Sequence, residues 1–249
     1  MIEGKHALVT GGGTGIGLAI ARALALQGAQ VTITGRRAEV LESAAGESLH
    51  PMVMDVTDEV QVVDTIDKAV DAYGPVQICV ANAGIAEGNA LHKTEIDFWR
   101  KIMTTNLEGA FLTIRESLRS MRDTDWGRVI AISSIAGLKG LRGASAYTAS
   151  KHGLTGLIRG LAEDYLKTPF TFNAICPGYV DTDIVTRSTE IIAERAGISA
   201  EEARQSMISA NKHGRLISSD DVAAVALWLC GSGSQHVNGQ AIEISGGHY

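Results

Sequence analysis

The chain has 249 residues and a formal charge of −6, with 45% apolar and 20% charged residues. An α/β chain of this length commonly forms one domain with a well-buried core, so we expect a single domain over residues 1–249. The net charge is acidic, whereas proteins that bind nucleic acids or anionic membranes usually carry a basic surface. Neither is therefore an expected partner.

Cysteine use and the start of the chain bear on the compartment. Cys79, Cys176 and Cys230 are widely spaced in apolar surroundings, which argues against a disulfide framework and against a metal site. The first residues lead almost directly into an apolar strand without the pattern of a leader, and no apolar run has membrane-spanning length. These features predict a cytoplasmic protein without a metal.

Short β-rich runs alternate with longer helical patterns along the chain. Strands are predicted at residues 6–9, 30–34, 52–54, 78–80, 128–132, 171–175 and 241–244, and helices at 17–27, 59–73, 98–121, 147–166 and 219–229. This alternation implies right-handed crossovers between parallel strands. The sequence therefore predicts an α/β fold with a seven-stranded parallel sheet, doubly wound with helices on both faces.

The polar segment 183–215 interrupts the last alternation of strand and helix. It has helical pattern at residues 189–196 and 200–210. Long insertions are often functional but not always mobile. The segment is either a lid over a substrate or a pair of packed surface helices, and the sequence leaves both open.

A glycine-rich turn connects the first strand to the first helix. Glycines there allow backbone amides to approach a pyrophosphate, which the positive end of the helix stabilises. The spacing Gly-x-x-x-Gly-x-Gly departs from the commoner Gly-x-Gly-x-x-Gly fingerprint, and a tight turn without a ligand is the alternative. The candidate dinucleotide-binding residues of this turn are Gly11, Thr14, Gly15, Ile16 and Gly17.

Arg36 and Arg37 stand at the end of the second strand, where NAD-binding folds usually present an acidic side chain. A carboxylate accepts hydrogen bonds from the ribose 2′-hydroxyl and repels a 2′-phosphate, whereas a guanidinium pairs with phosphate. We therefore expect NADP(H) in preference to NAD(H). A solvated basic turn is the alternative.

The next two strands end in further candidates for cofactor binding. Asp55 and Val56 follow the third strand, and we expect the carboxylate to accept from the adenine amino group while Val56 packs on the ring. Asn82, Ala83 and Gly84 end the fourth strand at the carboxyl edge, where open α/β sheets bind ligands. A simple turn is the alternative for these three residues.

Tyr147 and Lys151 stand four apart in a predicted helix, which places both side chains on one face. An ammonium near the phenol favours its ionised form, so the tyrosine can exchange protons near neutral pH. Ser134 ends the fifth strand ahead of them. Taken alone, such a pair is more typical of an exposed helix surface.

Several motifs occur in a fixed order: Thr10-Gly11-x-x-x-Gly15-x-Gly17, Asn82-Ala83-Gly84, Asn106, Ser134, Tyr147-x-x-x-Lys151 and Pro177-Gly178. Together they resemble the short-chain dehydrogenase/reductase family in its form with a single Rossmann domain. The resemblance implies an oxidoreductase that interconverts a ketone and a secondary alcohol by hydride transfer with NADP(H). It is strongest to 3-oxoacyl-thioester reductases and polyketide-type ketoreductases.

The resemblance also implies catalytic roles. Tyr147 would protonate the substrate oxygen, Ser134 would orient and stabilise it, and Lys151 would lower the tyrosine pKa and hold the nicotinamide ribose. Asn106 lies in a long helical segment where Asn is a poor helix former, and the family assigns it a proton-relaying water.

The segment after the sixth strand is expected at the nicotinamide, with the Val180 backbone and Thr182 on the carboxamide. Tyr179 and residues 139–141 are expected to border the substrate, although an exposed turn is an equal alternative for Tyr179. The cofactor-binding residues implied here are Pro177, Gly178, Val180 and Thr182, with Tyr147 and Lys151.

The preferred substrate is a small-molecule ketone, a 3-oxoacyl thioester of coenzyme A or acyl carrier protein. One alternative is an NAD-dependent dehydrogenase of a small aromatic or aliphatic secondary alcohol. Another is a catalytically silent dinucleotide-binding sensor or partner subunit. The resemblance implies a homotetramer that pairs the long helices beginning near Phe98 and Tyr147.

Overall fold

The computed structural model describes residues 2–247, except for the side chains of residues 183, 184, 187, 188, 192, 195 and 196. The strands are β1 (His6–Thr10), β2 (Gln30–Gly35), β3 (Leu49–Val53), β4 (Val76–Ala81), β5 (Gly127–Ile132), β6 (Phe170–Pro177) and β7 (Ala241–Ile244). The helices are α1 (Gly15–Leu26), α2 (Ala38–Ala44), α3 (Glu59–Tyr73), α4 (Ile96–Met103), α5 (Gly109–Met121), α6 (Ser145–Asp164), α7 (Asp183–Ala196), α8 (Ala200–Ala210) and α9 (Ser219–Leu229).

The strands form one parallel sheet in the order β3-β2-β1-β4-β5-β6-β7. The predicted seven-stranded parallel sheet is confirmed. Strand order reverses between β1 and β4, and ligands of open α/β sheets bind at the carboxyl ends of the strands next to such a reversal.

Helices cover both faces of the sheet. Successive strand residues point to opposite faces, so Ala7 and Val9 pack in the apolar layer under α1 and α9, whereas Leu8 packs in the layer under α3, α5 and α6. Every residue of β1 is buried as a result. Burial on both faces explains why residues 7–9 and 129–132 form apolar runs without polar alternation.

Some element boundaries differ from the prediction. The third strand begins earlier, at Leu49, and α2 was not predicted, because only Leu41 and Ala44 of its seven residues are buried. The helix predicted at residues 98–121 is interrupted by a π-helical turn at Thr104–Glu108, which separates α4 from α5.

The segment 183–215 leaves and rejoins the fold at one place. Val180 forms a parallel bridge with Ile217, where the Asp181 amide donates to the Ile217 carbonyl at 2.9 Å and the Ile217 amide donates to the Tyr179 carbonyl at 3.0 Å. Helices α7 and α8 lie between these anchors and pack against each other. The segment therefore forms a helical pair on a fixed base.

The three cysteines are free and buried. Within residues 2–247, no helix combines the length and the apolar character needed to cross a bilayer. Among the side chains that the structure describes, no group of three His, Cys, Asp or Glu residues could hold a metal.

Candidate active site

Two cavities adjoin along the carboxyl edge of the sheet. The first has a volume of about 340 Å³, and its lining includes Ser134, Tyr147 and Lys151. The second, of about 220 Å³, lies beside the glycine turn and the end of β2. Gly84 and Ile85 line both. The cleft therefore suits an elongated ligand that spans the reversal in strand order.

The glycine turn depends on glycine for both conformation and space. Gly11 and Gly15 have φ values of 64° and 52°, in the left-handed region that glycine adopts most readily. A Cβ at Gly17 would lie 2.3 Å from the Gly11 oxygen, so Gly17 serves the close packing of α1 on the turn. Thr14 is the N-cap of α1 but its side chain makes no capping hydrogen bond.

Asn82 fastens this turn to the end of β4. Its Nδ2 donates to the Thr10 carbonyl at 2.8 Å and to the Gly11 carbonyl at 3.3 Å. The Thr10 hydroxyl oxygen in turn accepts from the amides of Asn82 and Ala83, both at 3.0 Å. The structure thus gives Asn82 a positioning contact with the turn, as well as a place in the first cavity.

Arg36 and Arg37 line the second cavity together with Asp55. The Arg36 side chain is 73% exposed and its Nη1 lies 3.9 Å from Asp55 Oδ2. Asp55 Oδ1 accepts from the Thr57 amide at 3.0 Å and from its hydroxyl at 2.8 Å, while Asp58 caps α3. Because Asp58 caps α3, the Asp55 side chain is not used as a helix cap and lines the cavity.

Val56 and Ala83 complete the wall of the second cavity near Gly84. Val56 is 7% exposed, and a Cβ added to Gly109 would lie 2.7 Å from Val56 Cγ2. Close packing by the first residue of α5 therefore holds the Val56 side chain in place.

Lys151 is a buried cation at the centre of the first cavity. Its Nζ donates to the Ile132 carbonyl at 2.8 Å and lies 5.8 Å from the centroid of the Tyr147 ring. Burial lowers the pKa of the Lys151 ammonium to about 8, because desolvation disfavours the charged form. The site therefore holds an amine that is easier to deprotonate than an exposed lysine.

Burial raises the pKa of the Tyr147 phenol, and a hydrogen bond with Ser134 opposes that rise without cancelling it. The expected lowering of the tyrosine pKa by Lys151 is thus not found in the protein alone. The physical reason is that Tyr147 is desolvated, while the nearby ammonium is hydrogen-bonded to Ile132. Tyr147 is consequently a neutral phenol, the form that can donate a proton.

Two adjacent serines at the end of β5 have different contacts. The Ser133 hydroxyl donates to the Lys151 carbonyl at 3.2 Å and lies 3.1 Å from the Thr155 hydroxyl oxygen, so it fastens α6 to β5. Ser134 Oγ accepts from the Ala136 amide at 3.1 Å. Ser134, and not Ser133, forms a hydrogen bond with the Tyr147 side chain, which supports the choice of Ser134 as the reacting serine.

Asn106 lies in the π-helical turn and is 1% exposed. Its Oδ1 accepts from the Ile85 amide at 2.8 Å, and its Nδ2 donates to the Ile85 carbonyl at 2.9 Å and to Ser150 Oγ at 3.1 Å. Ser150 Oγ donates to the Tyr147 carbonyl at 2.7 Å. Asn106 therefore joins the loop after β4 to the helix that carries Tyr147.

The segment after β6 forms the opposite wall of the first cavity. A Cβ at Gly15 would lie 3.2 Å from Thr182 Cγ2, so the start of α1 and this segment pack closely where they meet at the cleft. Burial raises the pKa of Tyr179, and its side chain belongs to the wall, not to an exposed turn. The wall comprises Pro177, Gly178, Tyr179, Val180 and Thr182, with Ile16 from α1.

The loops around the first cavity match the expected substrate region only in part. Of residues 139–141 only Leu141 lines the cavity, and the neighbouring residues 142–144 line it as well. The segment 183–215 contributes Val185, Ile191 and Met207, and residues 85–88, which were not predicted, complete the lining. A Cβ at Gly88 would lie 2.6 Å from the Gly143 oxygen, so the two loops meet over the cavity. The position of residues 85–88 after the end of β4 was their only sequence signal.

The cleft fits a nicotinamide dinucleotide. The uncapped start of α1 and the glycine turn can receive a pyrophosphate, with arginines at one end and Lys151 at the other. Fold and cleft together define a Rossmann-type protein that binds a dinucleotide. The comparisons with known proteins are more specific, since a model described as short chain dehydrogenase matches residues 5–192. The chain belongs to the short-chain dehydrogenase family.

Similar proteins cover nearly the whole chain. D-beta-hydroxybutyrate dehydrogenase of Cupriavidus necator is 35% identical over 99% of this chain and 98% of its own. A 3-oxoacyl-(acyl-carrier-protein) reductase of Escherichia coli is 32% identical, with coverage of 99% and 98%. A crystal structure of an actinorhodin polyketide ketoreductase variant with NADPH superposes with a TM-score of 0.95 at 32% identity, covering 99% of this chain and 98% of that one. The protein is an NAD(P)-dependent oxidoreductase that interconverts a ketone and an alcohol.

Proposed function

We propose that the protein reduces the ketone of a 3-oxoacyl thioester to a secondary alcohol with NADPH. The convergence of Ser134, Tyr147 and Lys151 on one cavity, with Tyr147 held as a neutral phenol, supports this proposal most strongly. The alternatives, an NAD-dependent dehydrogenase of a small secondary alcohol and a catalytically silent sensor, are separated from it by the experiment below.

The chain's own groups account for the charge that develops on the carbonyl oxygen. When bound, the dinucleotide supplies the hydride. The Ser134 hydroxyl donates a hydrogen bond to the substrate oxygen, and Tyr147 transfers its phenolic proton to that oxygen. The protonated Lys151 side chain then stabilises the tyrosinate by its charge. In the same proposal, Lys151 also holds the nicotinamide ribose.

The wall residues bind the nicotinamide end in this proposal, with the Val180 backbone and Thr182 on the carboxamide. Asn106 holds a proton-relaying water beside Lys151. The side-chain N–H groups of Asn106 are both engaged by Ile85 and Ser150, so in this proposal an oxygen of Asn106 accepts a hydrogen bond from the water.

NADP(H) is preferred over NAD(H) because two guanidinium groups flank the adenosine end. Arg36 is largely exposed and its ion pair with Asp55 is long, at 3.9 Å, so the pair costs little to rearrange around a 2′-phosphate. A guanidinium binds a phosphate with two parallel hydrogen bonds. The structural neighbour with NADPH supports the same choice.

The thioester is preferred because the cavity combines an apolar wall with a cation near its edge. Val185, Ile191 and Met207 provide the apolar surface. Glu87 lines the cavity but is bound by Lys101 Nζ at 2.7 and 3.0 Å. Arg142 forms no ion pair with any acidic side chain that the structure describes. Arg142 is therefore available for a phosphate of coenzyme A or of a phosphopantetheine.

The test compares the wild type with Tyr147→Phe, which keeps the ring and removes the proton donor. We expect kcat to fall about 10²- to 10⁴-fold, with NADPH binding measured by fluorescence unchanged. Wild-type kcat/KM should be higher with NADPH than with NADH, and higher for 3-oxobutyryl-CoA than for its N-acetylcysteamine thioester or a simple ketone. The N-acetylcysteamine thioester lacks the phosphates and isolates their contribution.

Each part of the proposal has its own contrary result. Near-normal turnover by Tyr147→Phe contradicts the mechanism, and NADH equal to or better than NADPH contradicts the cofactor preference. A preference for small secondary alcohols with NAD identifies the first alternative. Dinucleotide binding without turnover across the whole panel identifies the sensor.

We also propose that residues 183–215 act as a lid on a single domain, that the protein is a homotetramer, and that it works in the cytoplasm. Lid residues in the cavity wall support the first point. Three free, buried thiols are compatible with a reducing compartment. Sizing chromatography tests the oligomeric state.

A further inference from the structure

We propose that Asn211 is a positioning residue for this reaction, which holds the cavity wall at Tyr179–Thr182 from the carboxyl end of α8. The inference deepens the proposed function and rests on it for its kinetic consequences. No motif singled out Asn211, because its partners lie far away in the sequence.

The Asn211 side chain forms three hydrogen bonds to backbone groups. Its Oδ1 accepts from the Tyr179 amide at 3.0 Å, and its Nδ2 donates to the carbonyls of Tyr179 at 2.9 Å and Arg215 at 2.8 Å. The residue is 1% exposed. One side chain thus pairs with both backbone groups of Tyr179, as a neighbouring strand would.

Tyr179 needs this partner because it lies at a gap in the sheet. The β6–β7 ladder ends with Pro177 opposite Ile244, and the Gly178 amide donates to the Ile244 carbonyl at 2.8 Å. The next bridge pairs Val180 with Ile217. The Tyr179 amide falls between the two, and leaving such a group without a partner in a buried site is costly.

Gly178 supplies the space that the Asn211 amide occupies. A Cβ at Gly178 would lie 2.4 Å from Asn211 Oδ1 and 3.4 Å from Ile217 Cδ1. Gly178 does not have positive φ, so an alanine would fit the backbone conformation. The requirement for glycine at this position is therefore a requirement for Asn211 to approach.

Asn211 can affect the reaction through the wall that it holds. Tyr179, Val180 and Thr182 line the first cavity, and Met207 lines it from the last turn of α8. Asn211 is the C-cap of that helix. The same side chain therefore positions the cavity wall and holds the carboxyl end of α8. A displacement of about 1 Å in groups that contact a substrate can lower the rate about a hundredfold.

The chain offers a matched control in Asn173, which is also 1% exposed. Its Nδ2 donates to the Val237 carbonyl at 2.8 Å and its Oδ1 accepts from the Gln240 amide at 3.1 Å. Asn173 lies within β6 and lines neither cavity. It makes the same kind of contact without touching the proposed site.

The experiment compares Asn211→Ala, Asn173→Ala, Gly178→Ala and the double variant Asn211→Ala/Gly178→Ala. Hydrogen exchange of the ligand-free proteins is followed at residues 178–182, with NADPH binding, KM and kcat measured in parallel. We expect Asn211→Ala and Gly178→Ala each to speed exchange at residues 178–182 and to lower kcat/KM, both by about tenfold or more. Asn173→Ala should change neither.

Coupling between the two residues gives a second readout. Because Gly178→Ala acts by displacing the Asn211 amide, adding it to Asn211→Ala should change exchange and kcat/KM little further. Gly178→Ala keeps the inference testable should Asn211→Ala fail to fold.

The inference is overturned if Asn211→Ala and Asn173→Ala have equal effects on kcat/KM, or if exchange at residues 178–182 is unchanged. It is also overturned if the Asn211→Ala and Gly178→Ala effects simply add. Exchange and NADPH binding need no turnover. A wild type that reduces no ketone therefore refutes the proposed function while these two measurements still decide the role of Asn211.

Discussion

The buried ammonium of Lys151 lowers the stability of the fold, but it also places a positive charge beside Tyr147 for the proposed reaction. Its folded-state pKa of about 8 lies below the ordinary 10.5, so the fold holds a charged amine at neutral pH at a cost of about 3 kcal/mol, at about 1.4 kcal/mol for each pKa unit. Between pH 8 and 10.5 the unfolded chain binds the proton more tightly than the folded one. Stability therefore rises with pH across this window.

Lys151→Met is expected to remove that pH dependence. The variant avoids the cost of the charge but leaves the Ile132 carbonyl without its donor, which costs about 1–3 kcal/mol. Its Tm at pH 7 should thus equal or exceed that of the wild type. Between pH 8 and 10 the Tm of the wild type should rise, relative to that of Lys151→Met, by about 2–4 °C for each kcal/mol of stability that the wild type regains. Differential scanning calorimetry measures the difference.

Tyr147→Phe is the control, because it also removes catalysis but keeps the lysine. It should follow the pH dependence of the wild type. A Tm difference between Lys151→Met and the wild type that stays constant from pH 7 to 10 would contradict the assigned pKa shift.

At the scale of elements, two helices share one capping device but pack in different places. Ser199 and Glu202 form a capping box at the start of α8, and Ser218 and Asp221 form another at the start of α9. The buried face of α9 belongs to the apolar layer that includes α1. Helix α8 packs mainly on α7 and over the cavity, so the two caps should matter for different properties.

We expect Ser218→Ala to lower Tm by about 2–4 °C, since a lost cap costs about 1 kcal/mol in a helix that unfolds with the core. KM for the ketone should stay unchanged. Ser199→Ala should raise that KM about three- to fivefold through local opening of α8, with little effect on Tm. Calorimetry and steady-state kinetics on the two variants measure both properties. Equal losses of Tm with no change in KM would contradict the assignment of α8 to a lid.

The helices differ in how well their boundaries could be predicted from the sequence. The boundaries of α3 and α9 were predicted to the residue, because each has an apolar face of regular period and a capping side chain at its start. The short α2 has too little apolar surface for such a pattern. The π-helical turn depends on Asn106 contacts with Ile85 and Ser150, which are 21 and 44 residues away, and no local pattern records them.

The candidate site divides in the same way. Some residues are placed by the end of a strand or by one face of a helix, and their positions could be predicted. Those that line the cleft include Gly11, Arg36, Ser134, Tyr147 and Lys151. Arg142 reaches the first cavity through a loop, and Ile191 and Met207 of the segment 183–215 reach it through helix packing. Their places are set by contacts such as that of Gly88 with Gly143, which become visible only in three dimensions.

Across the whole molecule, side chains with shifted pKa values lie at the two opposite edges of the sheet. The carboxyl edge carries Lys151. The amino edge carries His6, whose Nδ1 donates to the Gly74 carbonyl at 2.7 Å and whose Nε2 lies 2.9 Å from Thr32 Oγ1. The His50 ring stacks on Tyr73 at 4.0 Å, and that tyrosine also contacts His6. Burial lowers the pKa of both histidines. For His6 the hydrogen bond to Gly74 opposes this shift, and the nearby His50 adds to it.

A lowered histidine pKa makes the fold sensitive to acid. The unfolded chain binds a proton at about pH 6.5 that the folded chain resists, so stability falls as pH drops below 6.5, until His6 is protonated in the folded state as well. His6→Gln keeps a donor for the Gly74 carbonyl and does not titrate. We expect its Tm to fall less than that of the wild type between pH 6.5 and 5, in melts followed by circular dichroism.

The control for this prediction is His152→Gln, since His152 is exposed on α6 and should leave the acid sensitivity intact. Because the proposed chemistry lies at the carboxyl edge, His6→Gln should also keep the pH profile of kcat/KM. Equal acid sensitivity in His6→Gln and the wild type would place the responsible groups elsewhere. A changed kcat/KM profile would mean that the two edges are coupled through the strands between them, since β1 carries His6 at one end and leads into the glycine turn at the other.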